Sequence, residues 1–518
     1  MDQRENTPEE TLSLFNEKTL SDLESDYVDE EAEKRFPSSS CIDSFKPYMR
    51  TARICSWRTL LYRTGFVLLP SFVQSRITPD DGTPAKIHPT AYLDGMRGLA
   101  ALFVFFCHYL YTCFVINFGY GQGEPGTNNN LFQLPILRLL YSGPPMVCLF
   151  FVISGYALSL KPLKLMRARS WDNLANTMTS SIFRRGIRLF LPTTISTFMV
   201  FLMLRLNFYE GTREFANDQR YIRNINESHP DCWETFSIQF YDWCQKVFLF
   251  VHVWSWEPFG GSTNYDDHLW TVPVEFRCSM VLFIVLMGIA KLKTWIRFVT
   301  LIGIAWFTYR NDRWDMLLFL AGTFLAEIDL ILAAKKASHS NASNGLLDPC
   351  NTRSKKYKSI SWIALGIFSL FLMSQPNEGF ETTPGWVYLA TLIPEWYTDK
   401  YRFYQVFGSI LFVACTNRSK TLQKPFNTPF VQYFGKISYA IYLVHGPVLH
   451  VVGYRIERWA WRITGIETQR QYVAGFVLAG IFIVPIVIWI SDLFWRGVDA
   501  RTVTFARWVE GKCNVKEE

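Results

Sequence analysis

What most constrains this chain is a series of separated apolar blocks, each of membrane-spanning length. Ten are read as candidate spans: 96–118, 143–160, 184–206, 270–290, 295–309, 313–334, 358–374, 402–416, 429–452 and 471–494. A helix rises about 1.5 Å per residue, so about 20 residues cross a hydrocarbon layer about 30 Å thick. Backbone polar groups find no water there, so the expected fold is all-α, a polytopic transmembrane helical bundle of about ten spans. KVFLFVHVWSW at 246–256 is too short to cross and is read as re-entrant or interfacial.

The polar segments give this bundle an orientation. Basic residues follow the second block (Lys161, Lys164, Arg167, Arg169) and the fourth (Lys291, Lys293, Arg297). They also follow the sixth (Lys335, Lys336), the eighth (Arg418, Lys420, Lys424) and the tenth (Arg496, Arg501, Arg507). With ten spans all these segments share one side, which the positive-inside rule makes cytosolic together with both termini. Arg455, Arg458, Arg462 and Arg470 dissent, falling on the opposite side. Because the basic residues gather at span ends, the net charge of +7 gives no reason to expect nucleic acid.

Four regions follow: a disordered acidic head at 1–45, an interfacial or juxtamembrane segment at 46–90, the membrane domain at 91–500 and a cytosolic tail at 501–518. No signal peptide is evident in the head. The long polar loop at about 207–245 faces away from the cytosol, so Asn226 in Asn226-Glu227-Ser228 is the expected glycosylation site. Cys232 and Cys244 share that loop and are a candidate disulfide; the other cysteines lie mostly in apolar blocks, without metal-ligand spacing.

Ionisable groups within apolar blocks are costly and usually line a cavity or meet a partner. In DGMRGLAALFVFFCH, Arg97 and His108 are eleven residues apart. That is three turns and about 20°, so they share a face about 16 Å apart, with Arg97 at the cytosolic mouth and His108 about halfway across. Arg97 alone reads equally well as a snorkelling anchor. In HLWTVPVEF, His268 and Glu275 are two turns apart, with Pro273 expected to unwind the first turn between them. FRRGIRLFLP places Arg185 and Arg188 on one face with Arg184 beside them, suiting either a phosphate ligand or plain anchoring. ISYAIYLVHGPV puts Tyr442 and His445 on one face.

Taken in order, these stretches resemble the acyltransferase 3 family of integral membrane O-acyltransferases. DGMRGLAALFVFFCH is similar to its first-span signature. CLFFVISGYALSL (148–160), FRRGIRLFLP, HLWTVPVEF and ISYAIYLVHGPV are similar to its later blocks. The set covers about 91–500. Departures are PVEF for the commoner SVEEQF, leaving Arg277 where a second polar group often lies, and HGP for HWP. The acidic head and long loop look like those of fungal members, and no SGNH domain is expected after residue 500.

The resemblance implies transfer of an acyl group, typically acetyl from acetyl-CoA, to a hydroxyl of a small metabolite, sugar or lipid. It makes His108 the essential histidine and Arg97 its partner, puts Arg185 and Arg188 near the CoA site with Arg184 alongside, and leaves the role of Glu275 less settled. His268, Tyr442 and His445 are read as lining the substrate site. Acyl-CoA is a cosubstrate, with no tightly bound cofactor and no metal expected. The expected setting is a multi-pass protein of the endomembranes or plasma membrane. A transporter or proton-coupled permease would use the same intramembrane charges; it predicts inverted repeats with paired broken helices, and no convincing repeat is seen.

Overall fold

The computed structural model describes residues 65–77, 88–124, 127–254, 262–342 and 349–515. The acidic head at 1–45 lies outside them. No strand occurs among the described residues, and the molecule is an all-α bundle. Its helices are α1 (Ser71–Ile77), α2 (Ala91–Tyr111), α3 (Gly143–Arg167), α4 (Trp171–Arg205) and α5 (Glu210–Ala216). They continue as α6 (Phe236–Val251), α7 (Thr271–Ile289), α8 (Thr294–Arg310), α9 (Trp314–Ala342) and α10 (Pro349–Met373). The last are α11 (Phe403–Arg418), α12 (Pro429–Val448), α13 (Tyr454–Thr464), α14 (Gln469–Phe494) and α15 (Ala500–Cys513).

Each apolar block lies on one of these helices, but four boundaries near the site differ from expectation. α2 stops at Tyr111, so His108 occupies its last turn and not its middle. α4 begins at Trp171, so Arg184, Arg185 and Arg188 lie inside a continuous helix and not at its start. α12 and α14 do not end at 452 and 494. π-helical turns at Leu449–Gly453 and Trp495–Asp499 carry them on into α13 and α15. Arg455, Arg458 and Arg462 therefore sit on a helical extension, and the tail packs against α4 through an Arg184–Glu510 ion pair. Among the described residues, seven helices are long and apolar enough to cross a membrane; α8, α10 and α11 fall short by that measure.

Two helix pairs set the frame. α2 and α12 run parallel and touch through glycines: a Cβ on Gly98 would sit 2.3 Å from the Gly435 nitrogen. α3 and α9 do the same, where a Cβ on Gly322 would lie 2.2 Å from the Val152 carbonyl and one on Gly155 2.2 Å from the Phe319 carbonyl. Apolar burial drives little association within lipid, so such close backbone approach and interhelical hydrogen bonds do the work. Ser159 and Thr323 supply one such bond at 2.6 Å across the second pair. Gly322→Val is expected to destabilise the protein by at least about 2 kcal/mol, since backbone cannot yield to the added carbons. An unchanged melting temperature in detergent would refute this crossing.

Proline is accommodated in kind. Pro447 has no N–H for the Leu443 carbonyl four residues back, and the Ser196 hydroxyl donates to that oxygen at 2.8 Å. Within the segment expected to be interfacial or juxtamembrane, the described residues 65–77 are fastened to the end of α14 and the π turn after it. Ser71 donates to Asp492, Trp489 to the Leu68 carbonyl, and Arg496 to the carbonyls of Val67 and Leu69.

Candidate active site

α2 and α12 lie parallel, so His108 at the end of one comes beside His445 near the end of the other, with ring centroids 5.1 Å apart. His268 approaches from the start of α7, 4.1 Å from the His108 ring and edge-on at 78°. Gly446 lets the α12 backbone close on it; a Cβ there would meet His268 Nδ1 at 2.6 Å. Three helices thus bring three imidazoles together at the end of the bundle where α2 and α12 finish.

The three rings differ in what they can do. His268 heads the 3₁₀ turn Asp267–Trp270, whose N-cap is Asp266. The Asp266 carboxylate accepts from the His268 backbone N–H at 3.1 Å and sits 2.8 Å from its Nδ1. Its Nε2 lies 2.7 Å from Glu227 Oε1. Both ring nitrogens are committed to carboxylates. His445 Nδ1 faces the Ile441 carbonyl at 3.0 Å, so this nitrogen carries the hydrogen and Nε2, buried without a partner, presents a lone pair. His108 Nδ1 is also buried without a partner, while the residue as a whole is half-buried. Of the three, His108 alone is only half-buried, and its Nδ1 has no bond to give up.

The potential ligand atoms of these histidines lie within 4.8 Å of one another, close enough to consider a metal. With both His268 nitrogens engaged, the cluster offers a cation two imidazoles, fewer than the three protein ligands usual at a catalytic zinc.

Four residues of this region were not among the expected ones: Glu227, His229, Asp266 and His450. Residues 217–235, between α5 and α6, have no regular structure but are fastened over the site. The Asn224 side chain donates to the last-turn carbonyl of Tyr111 at 2.6 Å and to that of Phe114 at 3.1 Å. Arg223 donates to the Ile466 carbonyl at 2.9 Å and lies 3.7 Å above the Tyr472 ring. This strap delivers Glu227, whose second oxygen meets His450 Nε2 at 2.7 Å. Burial alone would raise the Glu227 carboxyl, but the charge of His268 and the hydrogen bonds from His268 and His450 hold it well below the usual range. His229, next on the strap, is pushed down to about 3, chiefly by burial and then by His450 and Arg213. A polar loop carrying Glu, Ser and His in succession is the one signal the sequence offered for it.

The remaining expected residues are placed as follows. Tyr442 donates to the His268 carbonyl and accepts from the Thr271 hydroxyl at 2.7 Å, so it braces the 3₁₀ turn. Glu275 is not beside His268's partners. It accepts from Arg185 at 2.8 Å and from Ser154 at 3.0 Å, and Arg185 also donates to Ser279 at 3.0 Å. The reason is the 3₁₀ turn, which breaks the α-helical phase between the two. Arg184 pairs with Glu510 at 3.2 Å. Arg97 and Arg188 both lie within electrostatic range of one acid, Asp499, on the π turn. Asn226 is exposed on the strap. Cys232 and Cys244 are exposed free thiols, so the disulfide is not formed.

α2 therefore links two polar sites, arginines toward its start and histidines at its end. Comparison with known proteins decides what such a helix belongs to. A family model described as an acyltransferase domain, that of acyltransferase 3, matches residues 90–496. The chain belongs to the acyltransferase 3 family. This acyltransferase is 32% identical over 473 residues to the O-acetyltransferase PaAT-1 of Phomopsis amygdali, covering 85% of this chain and 88% of that one. It is 26% identical over 436 residues to acyltransferase R4 of a Phoma species, covering 76% and 90%. It is also 26% identical over 447 residues to acyltransferase clz18 of Cochliobolus lunatus, covering 79% and 93%. No solved structure matches it. It is a membrane-helix O-acyltransferase, which removes the transporter alternative.

Proposed function

We propose that this acyltransferase moves an acyl group, acetyl in the first instance, from acyl-CoA to a hydroxyl of a small metabolite, sugar or lipid, with His108 as the general base. The observation that carries the reading is His108 itself, the half-buried ring of the three, whose Nδ1 holds no hydrogen bond and which stands beside a His268 with both nitrogens on carboxylates. His108 takes the acceptor's O–H proton as the oxygen attacks the thioester carbon. The carbon–sulfur bond then breaks, and the CoA thiolate leaves with the proton returned from His108. The acetyl donor is supported by the O-acetyltransferase activity for which the Phomopsis relative is named.

For the donor, Arg97 and Arg188 lie in the field of a single acid, Asp499, so a phosphate between them would meet two guanidiniums and one weak competitor. Arg184 and Arg185 are already paired and contribute less to this reading. We place the arginine end in the cytosol and the strap outside it, with ten spans and both termini cytosolic. In support, α8 presents Trp295, Val299, Ile302, Trp306 and Phe307 outward, an apolar surface suited to lipid. This orientation makes Asn226 an acceptor for N-glycosylation, in endomembranes or the plasma membrane.

The test uses purified protein in nanodiscs with radiolabelled acetyl-CoA and a panel of hydroxyl-bearing acceptors, following label into product. Arg188→Ala is expected to raise KM for acetyl-CoA about 10-fold or more, the loss of a charge-assisted bond, while kcat changes far less. Absence of transfer by the wild type across the panel, with no acetyl-CoA binding, would overturn the reading. An unchanged KM would overturn the phosphate assignment alone.

A further inference from the structure

We propose that Glu227, carried by the strap, is a positioning residue of the transfer site: its carboxylate ties His268 to His450 and so fixes His268 against His108. The inference rests on His108 being the centre of transfer. Both Glu227 oxygens are used, Oε1 on His268 and Oε2 on His450, each at 2.7 Å, and its side chain is 12% exposed. The two histidines come from different parts of the bundle, the start of α7 and the π turn after α12. This bridge sets their spacing directly, side chain to side chain.

What the bridge fixes is chemically specific. A ring that donates one N–H to Asp266 and the other to Glu227 carries both hydrogens and a positive charge. Such a ring takes no proton from an acceptor and offers no metal a lone pair. It remains a fixed charge 4.1 Å from the His108 ring, where it can stabilise the negative charge that grows on the carbonyl oxygen during attack. Its position depends on the strap being down, and the strap is held from both sides. Arg213 donates to the Pro230 carbonyl at 3.0 Å, Arg205 to that of Trp233 at 2.7 Å, and Asn224 caps α2 itself. The strap between α5 and α6 is thus part of the site, and Glu227 is the residue through which it acts.

The experiment compares Glu227→Gln and Glu227→Asp with wild type in the full-length protein, in the acetyl-CoA assay. Glutamine has a single acceptor oxygen and no charge, so it cannot accept from both histidines on separate oxygens as the carboxylate does. It is expected to lower kcat about 10- to 100-fold, as loss of a partner that orients a site histidine does, with KM for acetyl-CoA within about twofold. Aspartate, which restores the charge, is expected to recover at least about fivefold over glutamine. Wild-type kcat in Glu227→Gln overturns the proposal. So does a fall in kcat with no recovery by aspartate and a melting temperature well below wild type, the mark of general misfolding. Should Glu227→Gln fail to accumulate, His450→Gln takes its place, leaving the Glu227–His268 bond intact. A fall in kcat of about threefold or more at constant KM supports the bridge, and no change overturns it. An inactive wild type would sink the acyl-transfer reading instead, so the two failures are separable.

Discussion

Replacing His108 by alanine is expected to lower acyl transfer by about 1,000-fold or more while leaving the protein folded, the upper part of the range for a positioned general base. The two halves of this expectation have separate grounds. Activity falls because no other ring in the cluster can substitute freely: His268 has both nitrogens on carboxylates, and His445 is wholly buried at 0% exposure. Folding survives because His108 Nδ1 has no partner to orphan and the residue is half-buried, so its removal leaves neither an unsatisfied group nor a sealed void. What the substitution removes is ring packing against His268, His445 and Tyr111. His108→Gln, which keeps the bulk and removes the base, should behave alike. Transfer at more than about a tenth of the wild-type rate, with an unchanged melting temperature, would exclude the base assignment.

The sequence carries the helices plainly and the site only in part, and the reason is the range over which each is decided. A span is a local matter of some twenty apolar residues, so the blocks could be read off one after another as helices, although seven of the described helices, not ten, are long and apolar enough to cross. That Arg97 and His108 lie on one helix is equally local. His108, His268 and His445 are brought together by packing of α2, α7 and α12, and no spacing in the chain encodes that. The seven residues from His268 to Glu275 show how a local rule fails: the phase of 100° per residue holds only in an α-helix, and residues 267–270 are 3₁₀. Glu227 was hidden for a further reason. It sits in a polar loop that reads as solvated, and only the anchoring of that loop by Asn224 and Arg223 turns it inward. Glu510 and Asp499 were missed likewise, because the tail reads as a separate polar segment when in fact α15 continues α14 and returns onto α4.

Glu327→Ala is the second large effect, and it falls on folding. Arg167, Arg297 and Arg418 read in the sequence as charges marking the cytosolic side, yet none of them simply faces water. Glu327, at 0% exposure on α9, takes Arg297 from α8 at 2.6 Å and Arg167 from the end of α3 at 3.1 Å. Two residues on, Asp329 takes Arg418 and Asn417 from α11 and the Tyr156 hydroxyl from α3. α9 is therefore pinned from both sides at the end opposite the histidines. Because α3 crosses α9 at Gly155 and Gly322, a loosened pin frees a crossing whose backbones are already in contact. Removing Glu327 leaves Arg297, itself 4% exposed, as an uncompensated buried charge, which costs about 3–5 kcal/mol. That is a large share of the 5–15 kcal/mol or so that keeps a typical protein folded. The expected result is a protein that accumulates poorly or melts well below wild type in detergent. Glu327→Gln, which keeps one acceptor oxygen for Arg297, should be milder. Equal melting temperatures for wild type and Glu327→Ala would show that the two arginines reach water once the carboxylate is gone, and that this end of the bundle is held by helix packing alone.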